Sequence, residues 1–99
     1  MQFISISRRR TESFTEAEFA AKTPAEWQAA RALYAEGAIR QIWARGDTPG
    51  ACIFWEADNE QHARELIARL PMAKAGMLEI LAVIPLKPYP GFSANERSR

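Results

Sequence analysis

The stretch AIRQIWARGDTPGACIFWE, residues 38–56, decides the fold of this chain. Two apolar, partly alternating runs flank a cluster of turn-forming residues at positions 46–50. Glycine tolerates a positive φ and proline fixes φ, so the chain reverses direction within this cluster. The stretch therefore predicts a β-hairpin.

A helical pattern precedes the hairpin. Thr23 suits an N-cap, Pro24 suits the first helical position, and Glu26 completes a Thr-x-x-Glu capping box. Residues 11–22 are ambiguous, although Thr15 is a candidate cap for a short helical turn. The stripe expected to be buried follows the helical spacing and consists of Trp27, Ala30, Leu33 and Tyr34.

A second helical pattern follows the hairpin. Asp58 and Asn59 are both good caps for its first turn, and Pro71 is expected to end it. Apolar residues at i, i+3, i+4 and i+7 make this the strongest helical signal of the chain. These residues are Ala63, Leu66, Ile67 and Leu70.

One further strand is predicted beyond each helix, at residues 2–8 and 77–86. The resulting order β-α-β-β-α-β is that of the split βαβ, or ferredoxin-like, fold, which is an α+β fold with an antiparallel sheet. We assign residues 1–86 to one such domain. Residues 87–99 are predicted to form an extended C-terminal arm that is partly disordered at its end.

The composition limits the kinds of molecule that the protein is expected to bind. The chain has 99 residues, is 47% hydrophobic and carries a formal net charge of +1, so nucleic acid is not an expected partner. No apolar run approaches the ~20 residues of a membrane span, so no membrane partner is expected either. The single cysteine, Cys52, can form no intrachain disulfide, which fits the reducing cytoplasm.

The apolar content of the sheet predicts a homodimer or a higher homo-oligomer. Two helices cover only one face of a four-stranded sheet, yet residues 77–86 are largely apolar on both faces. A second copy packed sheet to sheet covers the remaining face. The C-terminal arm, which contains Tyr89 and Phe92, is a candidate to reach across to that partner.

Alternation along the strands assigns one set of residues to the helices and a second set to a pocket. The set assigned to the helices is Ile4, Ile6, Ile42, Leu78, Ile80, Ala82 and Ile84. The set assigned to the pocket is Phe3, Ser5, Ser7, Gln41, Trp43, Arg45, Glu79, Leu81 and Val83. An apolar surface with a few polar members is typical of a small-molecule site.

Three polar residues are candidates for chemistry. Glu79 is the candidate general base, because it lies inside an otherwise apolar strand where it would be desolvated. Arg45 is the candidate anchor for a substrate carboxylate. The alternative for Glu79 is a structural ion pair with an arginine, and the alternative for Arg45 is a solvated strand end near the turn. His62 is either a proton donor or a partly exposed helix residue. No spacing of cysteines and histidines predicts a metal site.

Several short motifs carry a resemblance to known proteins. They are Glu36-Gly37, the strand motif Ile42-Trp43-x-Arg45 with the glycine-containing turn after it, Glu-Ala-Asp-Asn at 56–59, and Leu70-Pro71-Met72. Through them, and through strand four with its trailing prolines, residues 30–88 resemble the muconolactone isomerase family of the dimeric α+β barrel superfamily. The chain departs from the family at Ala44, which separates Trp43 from Arg45, and at 72–76, where the family has an aromatic-rich segment.

The resemblance implies a ferredoxin-like protomer, a sheet-to-sheet dimer that can assemble further, and no cofactor. The family's named member moves a proton and a double bond in a lactone that bears a carboxylate. The corresponding hypothesis is a cofactor-free isomerase of aromatic catabolism that acts on a small carboxylated lactone or related ring. Glu79 would be its base, with His62 or Ser5 as proton donor. The substrate contacts would be Arg45, Gln41 and Trp43.

Two other functions are compatible with the sequence. One is a polyketide cyclase or cofactor-free monooxygenase with a larger pocket, in which Trp43 and Trp55 are ring platforms. The other is a non-catalytic dimer that binds a small ligand, in which Glu79 is held in an ion pair with no open cavity beside it. The fold alone does not decide among these functions.

Overall fold

The computed structural model describes residues 1–92. Its four strands form one antiparallel sheet in the order β2-β3-β1-β4. This topology is the ferredoxin-like α+β fold that the sequence predicts. Lys87 to Phe92, the start of the predicted arm, are described, whereas its end at residues 93–99 lies outside the described residues. The elements are β1 (Gln2–Arg9), α1 (Glu16–Ala35), β2 (Ile39–Ala44), β3 (Ala51–Glu56), α2 (Glu60–Ile67), α3 (Pro71–Lys74) and β4 (Leu78–Leu86).

The predicted hairpin is formed by β2 and β3, and its turn is fastened to β1. The Arg45 amide donates to the Gly50 carbonyl at 3.0 Å, and the Arg9 amide donates to the Pro49 carbonyl at 2.9 Å. Gly50 passes so close to β1 that a Cβ atom there would lie 2.1 Å from the Ser7 carbonyl oxygen. Glycine is therefore required at position 50 by the close approach of two backbones.

The prediction that α1 begins at Thr23 is wrong. The helix begins at Glu16, where the Thr15 side chain accepts from the Glu18 amide and the Glu18 carboxylate accepts from the Thr15 amide. The Thr23 hydroxyl instead donates to the Phe19 carbonyl at 2.8 Å from within the helix. Phe19 is buried against Met72 and Met77, and tertiary packing of this kind is what stabilises most helical turns in proteins.

The predicted buried stripe of α1 is only partly correct. Leu33 is buried and Ala30 packs against the core, but Trp27 and Tyr34 are 61% and 64% exposed. The stripe of α2 is confirmed, since all four of its predicted residues are buried. Asn59 caps α2 by accepting the His62 amide at 2.8 Å. Beyond α2, Pro71 opens the short helix α3.

The assignment of the two faces of β1 is wrong. Phe3, Ser5 and Ser7 face the helices and are buried, whereas Ile4 and Ile6 lie on the face that the helices leave open. Serine is compatible with these buried positions because both hydroxyl groups form hydrogen bonds. The Trp55 indole donates to Ser5 Oγ at 2.8 Å, and the Ala51 amide donates to Ser7 Oγ at 3.2 Å.

A register shift in β4 explains why Ala82, Val83 and Ile84 were assigned to the wrong faces of the sheet. Ile6 pairs with Ala82 and Ser7 pairs with Ile80, so Leu81 has no partner and the alternation of β4 reverses at this bulge. Leu78 and Ile80 therefore face the helices as predicted. After the bulge, Val83 turns inward, whereas Ala82 and Ile84 lie on the open face. No helix within residues 1–92 has the length and apolar character needed to cross a membrane.

Candidate active site

A cavity of about 390 Å³ lies between the helix-facing side of the sheet and the helices. Its walls are mostly apolar, and Trp27 and Trp43, which are about 60% exposed, stand at its edge. A volume of this size is suited to a small-molecule ligand. The polar side chains that line it are Ser5, Ser7, Arg9, Glu26 and Arg31.

Glu26 places a carboxylate in this cavity. It lies seven residues after buried Phe19 and seven before buried Leu33, so it occupies the face of α1 that packs on the sheet. Its Oε1 atom accepts the Met72 amide at 2.8 Å, which orients the group. Burial raises the pKa of the Glu26 carboxyl above its ordinary value, while the Met72 amide and the charge of Arg9 act in the opposite direction.

The two serines of β1 bring hydroxyl groups to the same cavity. Ser7 Oγ accepts the Ala51 amide, and its own contact with the Ala51 carbonyl is long, at 3.5 Å. Ser5 Oγ accepts the Trp55 indole N–H and is fixed by it. Among the described residues Ser5 Oγ only accepts, and Ser7 Oγ donates only over the long distance to the Ala51 carbonyl, so both hydroxyls can donate to an oxygen of a bound molecule.

Of the residues predicted to form the site, Ser5 and Trp43 line the cavity. Glu79 does not line it. The Glu79 carboxylate accepts Arg8 Nε at 2.5 Å on the open face of the sheet, and its side chain is 40% exposed. Arg8 also binds Glu12 at 3.0 Å, and this hydrogen bond lowers the pKa of Glu12 to about 2.

Arg45 and Gln41 also lie outside the cavity lining. Arg45 binds both carboxylate oxygens of Asp47, at 3.0 and 2.8 Å, and donates to the Ser7 carbonyl at 3.2 Å. Its guanidinium therefore braces the hairpin turn against β1. The Gln41 side chain accepts the Trp43 indole N–H at 3.3 Å.

His62 lines a different cavity, of about 370 Å³, which shares no lining residue with the first. Its Nδ1 atom accepts the Asp58 amide at 3.0 Å. Glu36 and Arg69, which form an ion pair at 2.7 Å, line the same second cavity. Within residues 1–92, no group of three or more His, Cys, Asp or Glu side chains is placed to hold a metal ion.

The sequence interpretation missed Glu26 and Arg9, whereas Ser7 belonged to the set that it assigned to the pocket. Glu26 was explained as part of a capping box, which hid its position on the packed face of α1. The spacing of seven from Phe19 and from Leu33 was a signal that could have found it. Arg9 was missed because the predicted strand ended at residue 8, one position before it, whereas β1 extends to Arg9.

The fold and the cavity together define a small α+β protein with a pocket suited to a small molecule. The family model of muconolactone delta-isomerase matches residues 1–91. The chain belongs to the muconolactone delta-isomerase family, and the predicted resemblance is confirmed over a longer span than residues 30–88. Membership supports an isomerase-type activity on a small molecule.

A solved structure is also similar to the chain. It is 5-chloro-2-hydroxyhydroquinone dehydrochlorinase (TftG) from Burkholderia phenoliruptrix AC1100, in complex with 2,5-dihydroxybenzoquinone. The TM-score is 0.66 at 19% sequence identity, over 92% of this chain and 96% of that one. At 19% sequence identity, the structural similarity shows that the two proteins share a fold. No match was found among curated protein sequences.

Proposed function

We propose that the protein is a cofactor-free isomerase of a small carboxylated lactone or related ring, and that Glu26 is the group that moves the proton. The observation that carries this proposal is the oriented, half-buried Glu26 carboxylate in a mostly apolar cavity. Desolvation makes a carboxylate a stronger base, and a general base works best when its pKa approaches the operating pH.

The reaction needs a base and a means of holding negative charge. The ionised Glu26 carboxylate removes a proton from a carbon conjugated with the lactone carbonyl, and the electron pair moves into the ring and onto the carbonyl oxygen. The Ser7 hydroxyl donates a hydrogen bond to that oxygen. The neutral Glu26 carboxyl then returns the proton to a different carbon of the conjugated system. The double bond moves, the base is restored and no electrons are gained or lost.

The test is turnover of muconolactone, followed by ultraviolet absorbance, for the wild type and two matched variants. Glu26→Gln keeps an oxygen that can accept the Met72 amide but removes the base, so turnover should fall by about 10²–10⁴-fold. Glu79→Gln makes the same chemical change on the open face. Glu79, the base predicted from the sequence, remains a prediction that this variant tests, and we expect near wild-type turnover because Glu79 is paired with Arg8.

A dehydrochlorinase of a hydroxylated aromatic ring is the second candidate. The observation that favours it is the aromatic edge of the cavity, formed by Trp27 and Trp43, together with the fold shared with a dehydrochlorinase. The same carboxylate would remove a proton while chloride leaves. Release of chloride from 5-chloro-2-hydroxyhydroquinone, with no turnover of muconolactone, would favour this candidate over the isomerase.

Observations on the cavity weigh against the other two functions. A polyketide enzyme was expected to use Trp43 and Trp55 as ring platforms, but Trp55 is fully buried and bonded to Ser5. A non-catalytic protein was expected to hold Glu79 in an ion pair, and it is so held. A different carboxylate, that of Glu26, faces an open cavity, and this observation favours a catalytic function.

We also propose that two copies pack through the open faces of their sheets, to form a homodimer or a unit of a larger assembly. The apolar residues of that face support this proposal. They are Ile4, Ile6, Cys52, Phe54, Ala82 and Ile84. The single cysteine supports our expectation that the protein works in the cytoplasm. The proposed role in aromatic catabolism rests on the muconolactone delta-isomerase family.

A further inference from the structure

Arg9 is the cation that β1 brings to the cavity. It pairs with Leu78 in the sheet, and its side chain lines the cavity together with Glu26. The guanidinium carbon lies 5.1 Å from the centre of the Phe19 ring, a cation–π contact. Phe19 is itself fixed by an edge-to-face contact with Phe14 at 6.1 Å. The position of the guanidinium is therefore set before any ligand binds.

Arg9 forms no close ion pair with a carboxylate within residues 1–92, although its charge acts on the Glu26 carboxyl in the same cavity. Four other arginines in this part of the chain form ion pairs, namely Arg8, Arg45, Arg64 and Arg69. Arg9 forms no ion pair, and its guanidinium donates no hydrogen bond to the described residues. A half-buried guanidinium with all its donors unused is costly for the protein alone, but it is suited to a ligand that supplies two acceptor oxygens.

We infer that Arg9 binds a carboxylate of the ring substrate and so determines that the enzyme acts on acids rather than on neutral rings. This inference rests on the proposed function. The anchoring role was expected for Arg45, but the donors of Arg45 are already used by Asp47 and Ser7. Arg31 also lines the cavity, but it is exposed and has no cation–π contact with an aromatic ring among residues 1–92.

Binding of a carboxylate at Arg9 would also change the pKa of Glu26, the proposed base. The positive charge of Arg9 lowers the pKa of Glu26 in the free protein, against the effect of burial. A bound carboxylate neutralises that charge, so the pKa of Glu26 rises and the group becomes a stronger base once an acidic substrate is in place. A neutral analogue would leave the charge of Arg9 unmatched. The preference for an acidic substrate over a neutral analogue would then be larger in turnover than in binding alone.

The test compares benzoate with benzamide, a neutral molecule of nearly the same shape, by isothermal titration calorimetry. The wild type should bind benzoate at least about tenfold more tightly than benzamide, since a hydrogen bond between two charged groups is stronger than one to a neutral amide. Arg9→Gln should lose that preference and leave benzamide binding within about twofold of wild type. Arg40→Gln removes the same charge from an exposed site outside the cavity and should keep the preference.

Two further measurements keep the test decisive. Arg9→Lys should recover part of the benzoate preference, because it restores the charge without the planar fork. The acid limb of kcat/KM should move to higher pH in Arg9→Gln, which a purely structural role would not cause.

Equal affinities of the wild type for benzoate and benzamide, no detectable benzoate binding, or an unchanged preference in a folded Arg9→Gln would each overturn the inference. Loss of turnover in Glu26→Gln with unaltered benzoate binding in Arg9→Gln would refute the role of Arg9 and leave the proposed base intact.

Discussion

Glu26 stands at a position of α1 where an alanine or a leucine would ordinarily pack against the sheet. Its neighbours on the same face are Phe19, Ala30 and Leu33, of which Phe19 and Leu33 are buried. The carboxylate is retained there at a cost, because burial disfavours its charged form. The Met72 amide offsets part of that cost by donating to it. A residue that is unfavourable for packing but held in place is a good candidate for function.

The pH dependence of activity should reflect Glu26. The base must be ionised to accept a proton, and burial raises its pKa above the ordinary 4.5. The acid limb of kcat/KM should therefore lie above pH 4.5, with about a tenfold loss of rate per pH unit below the apparent pKa. A pH profile of muconolactone turnover checks this, and an acid limb at or below pH 4.5 would contradict it.

The same group should make the folded state less stable as pH rises. The pKa of Glu26 is higher in the folded state, so the folded state holds more protons between the ordinary value of 4.5 and the raised one. The free energy of unfolding therefore decreases as pH rises through that interval. Glu26→Gln should lack this dependence and be at least as stable as wild type at pH 7. Thermal unfolding at pH 4 and pH 7 measures both effects.

At the scale of elements, the first helix shows what local sequence could and could not predict. Two Thr-x-x-Glu sequences, at 15–18 and 23–26, satisfy the same capping rule. Which one begins the helix depends on the burial of Phe19 against Met72 and Met77, residues more than fifty positions away. The hairpin and the stripe of α2 were predicted correctly because turn chemistry and helical spacing are local.

A matched pair of variants tests the start of α1. Thr15→Ala removes the cap of the Glu18 amide and should lower the free energy of unfolding by about 1 kcal/mol. Thr23→Ala removes a hydroxyl that donates only to the Phe19 carbonyl, so its effect should be smaller. Urea unfolding of both variants measures the difference, and a larger effect at Thr23 would place the N-cap there instead.

The turn of the hairpin offers a second matched pair. A Cβ at Gly50 would meet the Ser7 carbonyl at 2.1 Å, whereas a Cβ at Gly46 would meet nothing within 4 Å. Gly50→Ala should therefore push β3 away from β1 and cost about 1–3 kcal/mol. Gly46→Ala should be close to neutral. If urea unfolding gave equal midpoints for the two variants, the close approach of the hairpin to β1 would be refuted.

For the molecule as a whole, the inverted face of β1 has the largest consequence. Ser5 and Ser7 face the helices, so Ile4 and Ile6 must face outward. The usual rule that polar strand residues face solvent could not predict this, because it assumes that the second face meets water. The bulge at Leu81 likewise left no signal in the sequence. The orientation of β1 brings Ser7 and Arg9 to the helix-facing side, where the cavity lies, and both features enlarge the apolar open face.

The open face should hold the assembly together. Ile6→Glu places a charge opposite Cys52 and Ala82 at the centre of that face, and a buried unpaired charge is strongly unfavourable. We expect a dimer or larger species for the wild type and a folded monomer for the variant in analytical ultracentrifugation. Tyr34→Glu, on the exposed side of α1, should leave the assembly unchanged. A monomeric wild type would refute sheet-to-sheet pairing.

Chemical rescue of Glu26→Ala by acetate tests directly whether the Glu26 carboxylate moves the proton. Removing the carboxylate should abolish turnover of muconolactone and leave space beside the Met72 amide. Added acetate should enter that space and restore part of the turnover in a saturable manner. Glu79→Ala should be active without acetate. Wild-type turnover by Glu26→Ala in the absence of acetate would contradict the account, because the base would then be another group.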